Sequence, residues 1–317
     1  MLSFVVPAYN SARTIENCLR SILDQRLDGI ETEIIVVDNG SKDATGDLVA
    51  RMPAVQLVHE SVPGAAAARN RGIAEARGDL IALVDSDCEI PSGWSRRALD
   101  LLKSHPEVCG VGGPGRMPPD SILARCMNGL HYGLNSNTSR CYVRSLATMD
   151  ALYVGSVLRD YPFDPNCYWG EDADMNLRLI AAGYKLLFDP SLAVTHHHPI
   201  SLGGILHKWY EYGIQYPVPY LKKKRFLFDP GFLPRVAYLP LLLLLLVASL
   251  FNPIARYLAL AVLISLPAVY SFLGLKAVRG LDRLAFPLIH SLKQWAHMIG
   301  MLVGLLLPSQ RVRRVSD

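Results

Sequence analysis

The first hundred residues alternate short apolar runs with longer segments of helical periodicity. The apolar runs are Leu2–Val6, Glu33–Asp38, Val55–His59 and Leu80–Asp85. Asn10 or Ser11 can cap a first helix, whose apolar residues fall at Ile15, Leu19, Ile22 and Leu23. The later segments that favour helices are Asp43–Arg51 and Pro63–Ala76. Strands that are apolar almost throughout and separated by helices are typical of a mainly parallel sheet with helices on both faces. The pattern therefore predicts an α/β fold for this part of the chain.

Three of these predicted strands end in polar residues. The endings are Pro7, Ala8, Tyr9 and Asn10 after the first strand, Asp38, Asn39, Gly40 and Ser41 after the second, and Asp85, Ser86 and Asp87 after the fourth. Ligands of open parallel sheets bind at the carboxyl ends of the strands. Any one ending is also typical of a turn, because Asp, Asn and Gly dominate turns. The occurrence of all three favours a binding site.

Asp85 and Asp87 are two carboxylates separated by one residue at the end of the predicted fourth strand. Unpaired, the two charges would repel each other and raise one pKa. A divalent cation removes this conflict, and oxygen ligands of this kind suit Mg²⁺ or Mn²⁺, which in turn bridge phosphates. The sequence has no P-loop lysine motif, so we expect a phosphorylated ligand to be held through the metal.

Two further clusters follow in the second half of this region. Glu171 and Asp172 come after Gly170 and directly precede a helical apolar pattern, where acids also serve as ordinary helix caps. An apolar strand ends in three consecutive histidines, His196, His197 and His198. Neighbouring residues of a strand point to opposite faces, so only His196 and His198 share a face. One or both could bind a metal, and a solvent-exposed turn is the alternative.

Five segments resemble, in order and spacing, the motifs of the family 2 glycosyltransferases, whose fold is called GT-A. They are PAYN, VVDNGSKD, ARNRG, GDLIALVDSD and GEDADMNLRL, within roughly residues 2–200. The resemblance implies a Rossmann-like sheet, a UDP- or GDP-sugar donor, and Mg²⁺ or Mn²⁺. It also implies inversion at the anomeric carbon. Processive polysaccharide synthases share these motifs but usually carry Q-x-x-R-W, which this sequence lacks, so single transfer is favoured.

The resemblance also implies roles for individual residues. The donor would be bound by Pro7, Ala8, Tyr9, Asn10, Asp38, Gly40, Arg69, Asp85 and Ser86, with Asp38 and Arg69 near the base. The metal ligands would be Asp87, with Asp85 nearer the ribose, and His196 or His198. Asp172 would be the general base, beside Glu171. Many members of the family carry Glu at the position of Ser11 and Asp at the position of Asn39.

The remaining chain is strongly apolar. Hydrophobic residues make up 50% of the sequence, and they are concentrated after about residue 233. Two uncharged segments, 236–255 and 257–275, approach the roughly 20 residues needed to cross a bilayer. Segment 284–307 contains His290, Lys293 and His297, which favour an interfacial or re-entrant helix. We therefore predict two membrane spans with the catalytic part on the cytoplasmic side.

Between the two parts lies a segment suited to the membrane surface. An amphipathic pattern that includes Trp209 predicts an interfacial helix, although packing in a core is the alternative. The basic run Lys222, Lys223, Lys224 and Arg225 follows and could attract a lipid phosphate. Basic residues that flank apolar segments are typical of the cytoplasmic side of a membrane, so nucleic acid is not expected as a partner.

These patterns give three predicted regions: a GT-A catalytic domain at 1–200, an interfacial helix with a basic linker at 201–233, and a membrane domain at 234–317. The predicted function is transfer of a sugar to a lipid-linked acceptor, a polyprenyl phosphate or a lipid-linked saccharide, at a cell membrane. A homo-oligomer could form through the membrane helices. The alternatives are a non-lipid polysaccharide or protein acceptor, or a catalytically inactive membrane scaffold.

Overall fold

The computed structural model describes residues 1–25, 27, 29–129, 139–167, 170–197, 201–215 and 232–306. The chain forms two compact units. Unit 1 is Met1–Pro118 together with Ser136–His198, and unit 2 is Pro119–Asn135 together with Pro199–Asp317.

Unit 1 is built on an eight-stranded sheet with the order β3-β2-β1-β4-β9-β6-β10-β8. Its strands are β1 (Leu2–Ala8), β2 (Thr32–Asp38), β3 (Gln56–His59), β4 (Leu80–Val84), β6 (Val108–Gly112), β8 (Cys141–Val143), β9 (Asp150–Val154) and β10 (Lys185–Phe188). Only β8 and β9 are antiparallel to their described neighbours in this sheet. The predicted mainly parallel sheet is confirmed.

Helices cover both faces of this sheet. They are α1 (Ile15–Leu23), α2 (Thr45–Ala50), α3 (Ala65–Glu75), α4 (Trp94–Ser104), α6 (Gly155–Asp160) and α7 (Glu171–Ala181). Alternate residues of β1 belong to two separate cores: Phe4 and Val6 pack with α1 and α4, whereas Val5 packs with α3 and α6. Burial on both faces explains why the central strands are apolar throughout rather than alternating.

A second, three-stranded sheet has the order β5-β11-β7. Its strands are β5 (Cys88–Glu89), β7 (Gly115–Arg116) and β11 (Val194–His196), and a 3₁₀ helix at Pro190–Leu192 precedes β11. His196 lies opposite Cys88 in the antiparallel pairing of β11 with β5. This pairing brings residues that are more than 100 positions apart in the chain to the end of β4.

Unit 2 is helical in the part of the chain that the structure describes. Its helices are α5 (Ile122–Asn128), α8 (Leu202–Gln215), α9 (Phe232–Ala248), α10 (Pro253–Ala277) and α11 (Asp282–Leu306). The guanidinium of Arg125 on α5 donates to both carboxylate oxygens of Asp282, at 2.7 and 2.9 Å. Trp209 of α8 packs against α11, with the Lys293 amine 4.1 Å from its ring centroid.

The helices of unit 2 begin and end at other residues than the predicted spans. The predicted segment 236–255 runs across the break between α9 and α10, whereas 257–275 lies inside α10 and 284–307 corresponds to α11. Among the described residues, one stretch, Pro253–Leu273 of α10, is long and apolar enough to cross a membrane by length and composition, and 6% of it is buried. The crossing of a membrane by two spans stays a prediction.

Candidate active site

The ends of β1 and β2 form one connected surface. The Asp38 carboxylate is 6% exposed and accepts hydrogen bonds from the Ser41 backbone amide at 3.0 Å and from the Ser41 hydroxyl at 2.5 Å. Asn10, at φ 48°, donates its backbone amide to the Ser41 hydroxyl at 3.0 Å. The predicted donor residues Pro7, Ala8, Tyr9, Asn10, Asp38 and Gly40 therefore lie on two adjacent strand ends, as parallel pairing requires.

Asn39 and Ser11 occupy structural positions at this edge. The Asn39 amide donates to the carbonyl oxygens of Glu60 and Val62 at 2.9 and 2.7 Å, and its oxygen accepts from the Gly64 amide at 2.7 Å. These bonds fix the segment that leads into α3. The Ser11 and Ser86 hydroxyls are 2.7 Å apart, which ties the loop after β1 to the loop after β4.

A carboxylate and an imidazole meet at the end of β4. The Asp87 Oδ2 and His196 Nε2 atoms are 3.2 Å apart, and their side chains are 33% and 11% exposed. Ligand atoms of Asp87, Cys88 and His196 all lie within 4.8 Å of one another. A partly exposed carboxylate beside an imidazole fits a divalent cation. His197 points away from this pair, with its Nε2 atom 2.7 Å from Glu89 Oε1, as strand alternation predicts.

Arg69 connects the end of β4 to the start of α7. Its two terminal nitrogens donate to Asp85 Oδ1 at 2.7 Å and to Glu171 Oε1 at 2.6 Å. The side chain is buried, 3% exposed, and its guanidinium carbon lies 5.7 Å from the ring centroid of Phe163. The resemblance implied that Arg69 lies at the base or in its neighbourhood, and this bridge between two acids was not predicted.

Close packing of α3 on the sheet sets the position of Arg69. A Cβ atom at Gly72 would lie 2.3 Å from Val5 Cγ1 of β1 and 3.1 Å from Val37 Cγ2 of β2. Only glycine therefore allows α3 to approach β1 this closely. Gly72 is one helical turn after Arg69, so the same contact holds the arginine over the strand ends.

Glu171 and Asp172 open α7 after Gly170, as predicted. Burial, followed by the charge of Glu171, raises the pKa of Asp172 to about 6. The Asp172 Oδ1 atom accepts a hydrogen bond from the Ala173 backbone amide at 2.7 Å, which partly opposes this shift. A carboxylate with a pKa close to neutral can both take up and release a proton at physiological pH.

Sequence reasoning did not single out Asp150, a buried acid in the same region. Asp150 opens β9, pairs with Val84 of β4, and is 0% exposed. Its Oδ2 atom accepts from the Gly113 amide at 3.1 Å, whereas Oδ1 has no hydrogen-bond partner among the described residues. Burial raises the pKa of Asp150 well above its ordinary value. The only signal in the sequence is an acid directly before the apolar run ALYV.

The other predicted site residues lie elsewhere. His198 and the basic run Lys222, Lys223, Lys224 and Arg225 fall outside the described residues. Trp209 belongs to α8 of unit 2, where its ring lies 5.8 Å from the rings of Tyr212 and His297.

Comparison with known proteins finds similarity that begins in the first part of the chain. Residues 3–125 match the family model described as glycosyl transferase family 2. Glycosyltransferase AglE of Haloferax volcanii is 28% identical over 222 residues, which are 67% of this chain and 71% of AglE. Succinoglycan biosynthesis protein ExoO of Rhizobium meliloti is 31% identical over 211 residues, which are 62% of this chain and 60% of ExoO.

A solved structure shares the fold. The mannosyltransferase PcManGT from Pyrobaculum calidifontis, in complex with GDP-Man and Mn²⁺, has a TM-score of 0.59 and 20% identity, and the match covers 96% of this chain and 86% of PcManGT. At this identity the likeness concerns the fold alone. The family match therefore covers residues 3–125, and the likeness to PcManGT extends over the fold of nearly the whole chain.

Proposed function

We propose that this protein is an inverting glycosyltransferase that moves a sugar from a UDP- or GDP-sugar to a lipid-linked acceptor at the cytoplasmic face of a membrane. One observation carries the transferase part of the proposal. Asp87 with His196 and Glu171 with Asp172 lie around the same carboxyl edge of one sheet, joined through Asp85 and Arg69. PcManGT, which shares the fold, was solved with GDP-Man and Mn²⁺.

Asp87 and His196 are the residues that would hold the divalent cation. When it is bound, Mg²⁺ or Mn²⁺ supplies neutralising charge to the diphosphate leaving group. The carboxylate–imidazole pair at 3.2 Å and the partial exposure of Asp87 support this assignment. His198 remains an alternative ligand on the sequence pattern alone.

In this proposal, the donor lies along the ends of β1, β2 and β4. Asp38 and the loop around Asn10 would bind the nucleobase, and Asp85 would lie near the ribose. The hydrogen bonds from Ser41 hold the Asp38 carboxylate in one orientation at the strand end. A fixed acceptor suits recognition of a base edge, because little side-chain entropy is lost on binding.

Asp172 would act on the acceptor. Its carboxylate takes the proton of the acceptor hydroxyl while the acceptor oxygen forms a bond to the anomeric carbon. The bond from that carbon to the phosphate oxygen breaks on the opposite side, and the nucleoside diphosphate leaves with the electron pair. With an already ionised phosphate as the acceptor, Asp172 would orient it instead.

The membrane part of the proposal rests on unit 2. Large apolar side chains of α9, of α10 and of the connection between them are between 62% and 85% exposed. They are Leu244, Phe251, Ile254, Tyr257 and Phe272. Exposed apolar surface of this extent marks an interaction site, and α10 contains the stretch that is long enough to cross a bilayer. An enzyme held at a membrane meets acceptors that carry a lipid.

The test is sugar transfer in membranes that contain the protein. A panel of radiolabelled UDP- and GDP-sugars is supplied with Mn²⁺ or Mg²⁺, and the label is counted in the lipid extract and in the aqueous fraction. We expect one donor to label the lipid extract, and the Asp172→Asn variant to lose this label. Label confined to water-soluble polymer or protein would reject the lipid acceptor. No turnover of any donor would reject the transferase itself.

A further inference from the structure

Arg69 bridges Asp85 and Glu171, and the proposed transfer reaction gives no role to this bridge. We propose that Arg69 is a positioning residue that holds the acidic pair of α7 against the end of β4 and balances the charge around Asp172. This inference rests on the proposed role of Asp172 as the base.

The geometry of Arg69 favours this role over a contact with a ligand. Both terminal nitrogens are engaged with carboxylates at 2.6 and 2.7 Å, and the side chain is 3% exposed. The planar guanidinium donates in two fixed directions, so it fixes the distance between two carboxylates in a way that a lysine amine does not. The two acids are 86 positions apart, since Asp85 directly follows β4 and Glu171 begins α7.

The bridge assigns different tasks to the two acids of α7. Glu171 Oε1 accepts a hydrogen bond from Arg69 and forms a partly buried ion pair with it. Asp172 Oδ1 accepts a hydrogen bond from the Ala173 amide of its own helix at 2.7 Å. Because Arg69 engages Glu171 Oε1 at 2.6 Å, that oxygen is not available to an acceptor hydroxyl. Asp172 is therefore the member of the pair that can act as a base.

Arg69 also acts on Asp172 through charge. The charged groups that influence Asp172 are Glu171 of α7, Arg69 of α3 and Asp85 after β4. Tyr153 of β9 is also close, since burial and then the charge of Asp172 raise the pKa of Tyr153. Glu171 and Asp85 raise the pKa of Asp172, whereas Arg69 lowers it. Removal of the arginine leaves both carboxylate charges uncompensated, so Asp172 would keep its proton to a higher pH.

The test uses donor hydrolysis, in which water replaces the acceptor, so no acceptor has to be known. The pH dependence of kcat is measured for the full-length wild type, Arg69→Met, Glu171→Gln and the double variant. We expect the acidic limb of the profile, at about pH 6 in the wild type because of Asp172, to move up by about one unit in Arg69→Met. The Glu171→Gln change, made in addition, should bring the limb back towards the wild-type position.

Arg71 supplies the matched control. It lies on the same helix, its side chain is 47% exposed, and it pairs with Glu75 at 2.8 Å. The Arg71→Met variant should keep the limb at the wild-type pH. Arg69→Lys keeps the positive charge but loses the two fixed donor directions of the guanidinium. We therefore expect a lower kcat than in the wild type and a smaller shift of the acidic limb than in Arg69→Met.

Two results would overturn the inference. One is an Arg69→Met variant that loses activity equally at every pH, with no recovery by Glu171→Gln. The other applies if Arg69→Met does not fold. Glu171→Gln alone should then move the acidic limb of the kcat profile to a lower pH than in the wild type. An acidic limb at the wild-type pH would reject the charge balance. A wild type that hydrolyses no donor would instead reject the proposed function.

Discussion

At the scale of single residues, the position of Asp172 predicts a pH profile for the enzyme. The pKa of about 6 means that the base is mostly protonated at pH 5 and mostly ionised at pH 7. Donor hydrolysis should therefore rise with pH through about 6 and level off above it. A rate that is constant from pH 5 to pH 7 would contradict the role of Asp172 as the base.

The Asp172→Asn variant gives a second measure of the same role. Loss of a positioned general base typically lowers kcat between about 10²- and 10⁴-fold. We expect a loss in this range with little change in the affinity for the nucleoside diphosphate, measured by calorimetry, because Asp172 is assigned to the acceptor side. An equal loss of nucleotide affinity would place Asp172 at the donor instead.

Asp150 predicts a pH dependence of stability with the opposite sign to that of a salt-bridged acid. Its pKa is raised in the folded protein, so the folded state keeps a proton that the unfolded chain loses as the pH rises above about 4. Stability is therefore lost as the pH rises from the unfolded towards the folded pKa. Asp150→Asn should remove this loss and gain on the order of 1 kcal/mol at pH 8 but little at pH 4.

Urea unfolding of the full-length protein in detergent measures this difference. Asp160→Asn on α6 is the control, since Asp160 is an exposed acid of the same unit. An Asp150→Asn variant that is less stable than the wild type at pH 8 would show that the ionised carboxylate is needed in the fold.

At the scale of elements, α8 and α11 pack closely where each helix has a glycine, Gly213 on α8 and Gly300 on α11. A Cβ atom at Gly300 would lie 2.1 Å from the Tyr210 carbonyl oxygen, and one at Gly213 would lie 2.1 Å from the His297 carbonyl oxygen. Gly300→Ala must therefore push the two helices apart. Overpacking of this kind typically costs between about 1 and 3 kcal/mol.

Gly203 provides the control for this prediction, because it lies on α8 and a Cβ atom there meets nothing within 4 Å. We expect Gly300→Ala to lower the temperature of helix melting, followed by circular dichroism, and Gly203→Ala to leave it unchanged or raise it. Equal melting of both variants would contradict the close contact of α8 with α11.

The strands and helices near the start of the chain were predictable from the sequence, because each is set by local pattern. The run Glu33–Asp38 predicts β2, and the structure gives Thr32–Asp38. The position of β9 between β4 and β6, antiparallel to both, was not predictable, because pairing joins residues distant in the chain. The Arg69 bridge was missed for the same reason, since it depends on where α7 meets the end of β4.

At the scale of the whole molecule, the apolar surface of α10 predicts attachment to membranes. Leu260 and Ile264 are 54% and 53% exposed, and an arginine at the centre of a spanning helix costs about 2.5–3.5 kcal/mol. Wild-type protein should stay in the membrane pellet after alkaline carbonate extraction, and the Leu260→Arg, Ile264→Arg double variant should be released. Leu23→Arg in α1, at an exposed apolar residue of unit 1, should behave as the wild type.

Release of the wild-type protein by carbonate would contradict the membrane span. The glycosyltransferase assignment would be unaffected, because it depends on the residues of unit 1. The two parts of the proposal can therefore fail separately.

The most direct test concerns Asp87, because the whole account places the donor diphosphate at the end of β4. Donor affinity and hydrolysis are measured with Mn²⁺ for the wild type, for Asp87→Ala, and for Asp47→Ala at an exposed acid of α2. The account predicts that Asp87→Ala loses both metal-dependent donor binding and turnover, while Asp47→Ala keeps them. Unchanged binding and turnover in Asp87→Ala would contradict it.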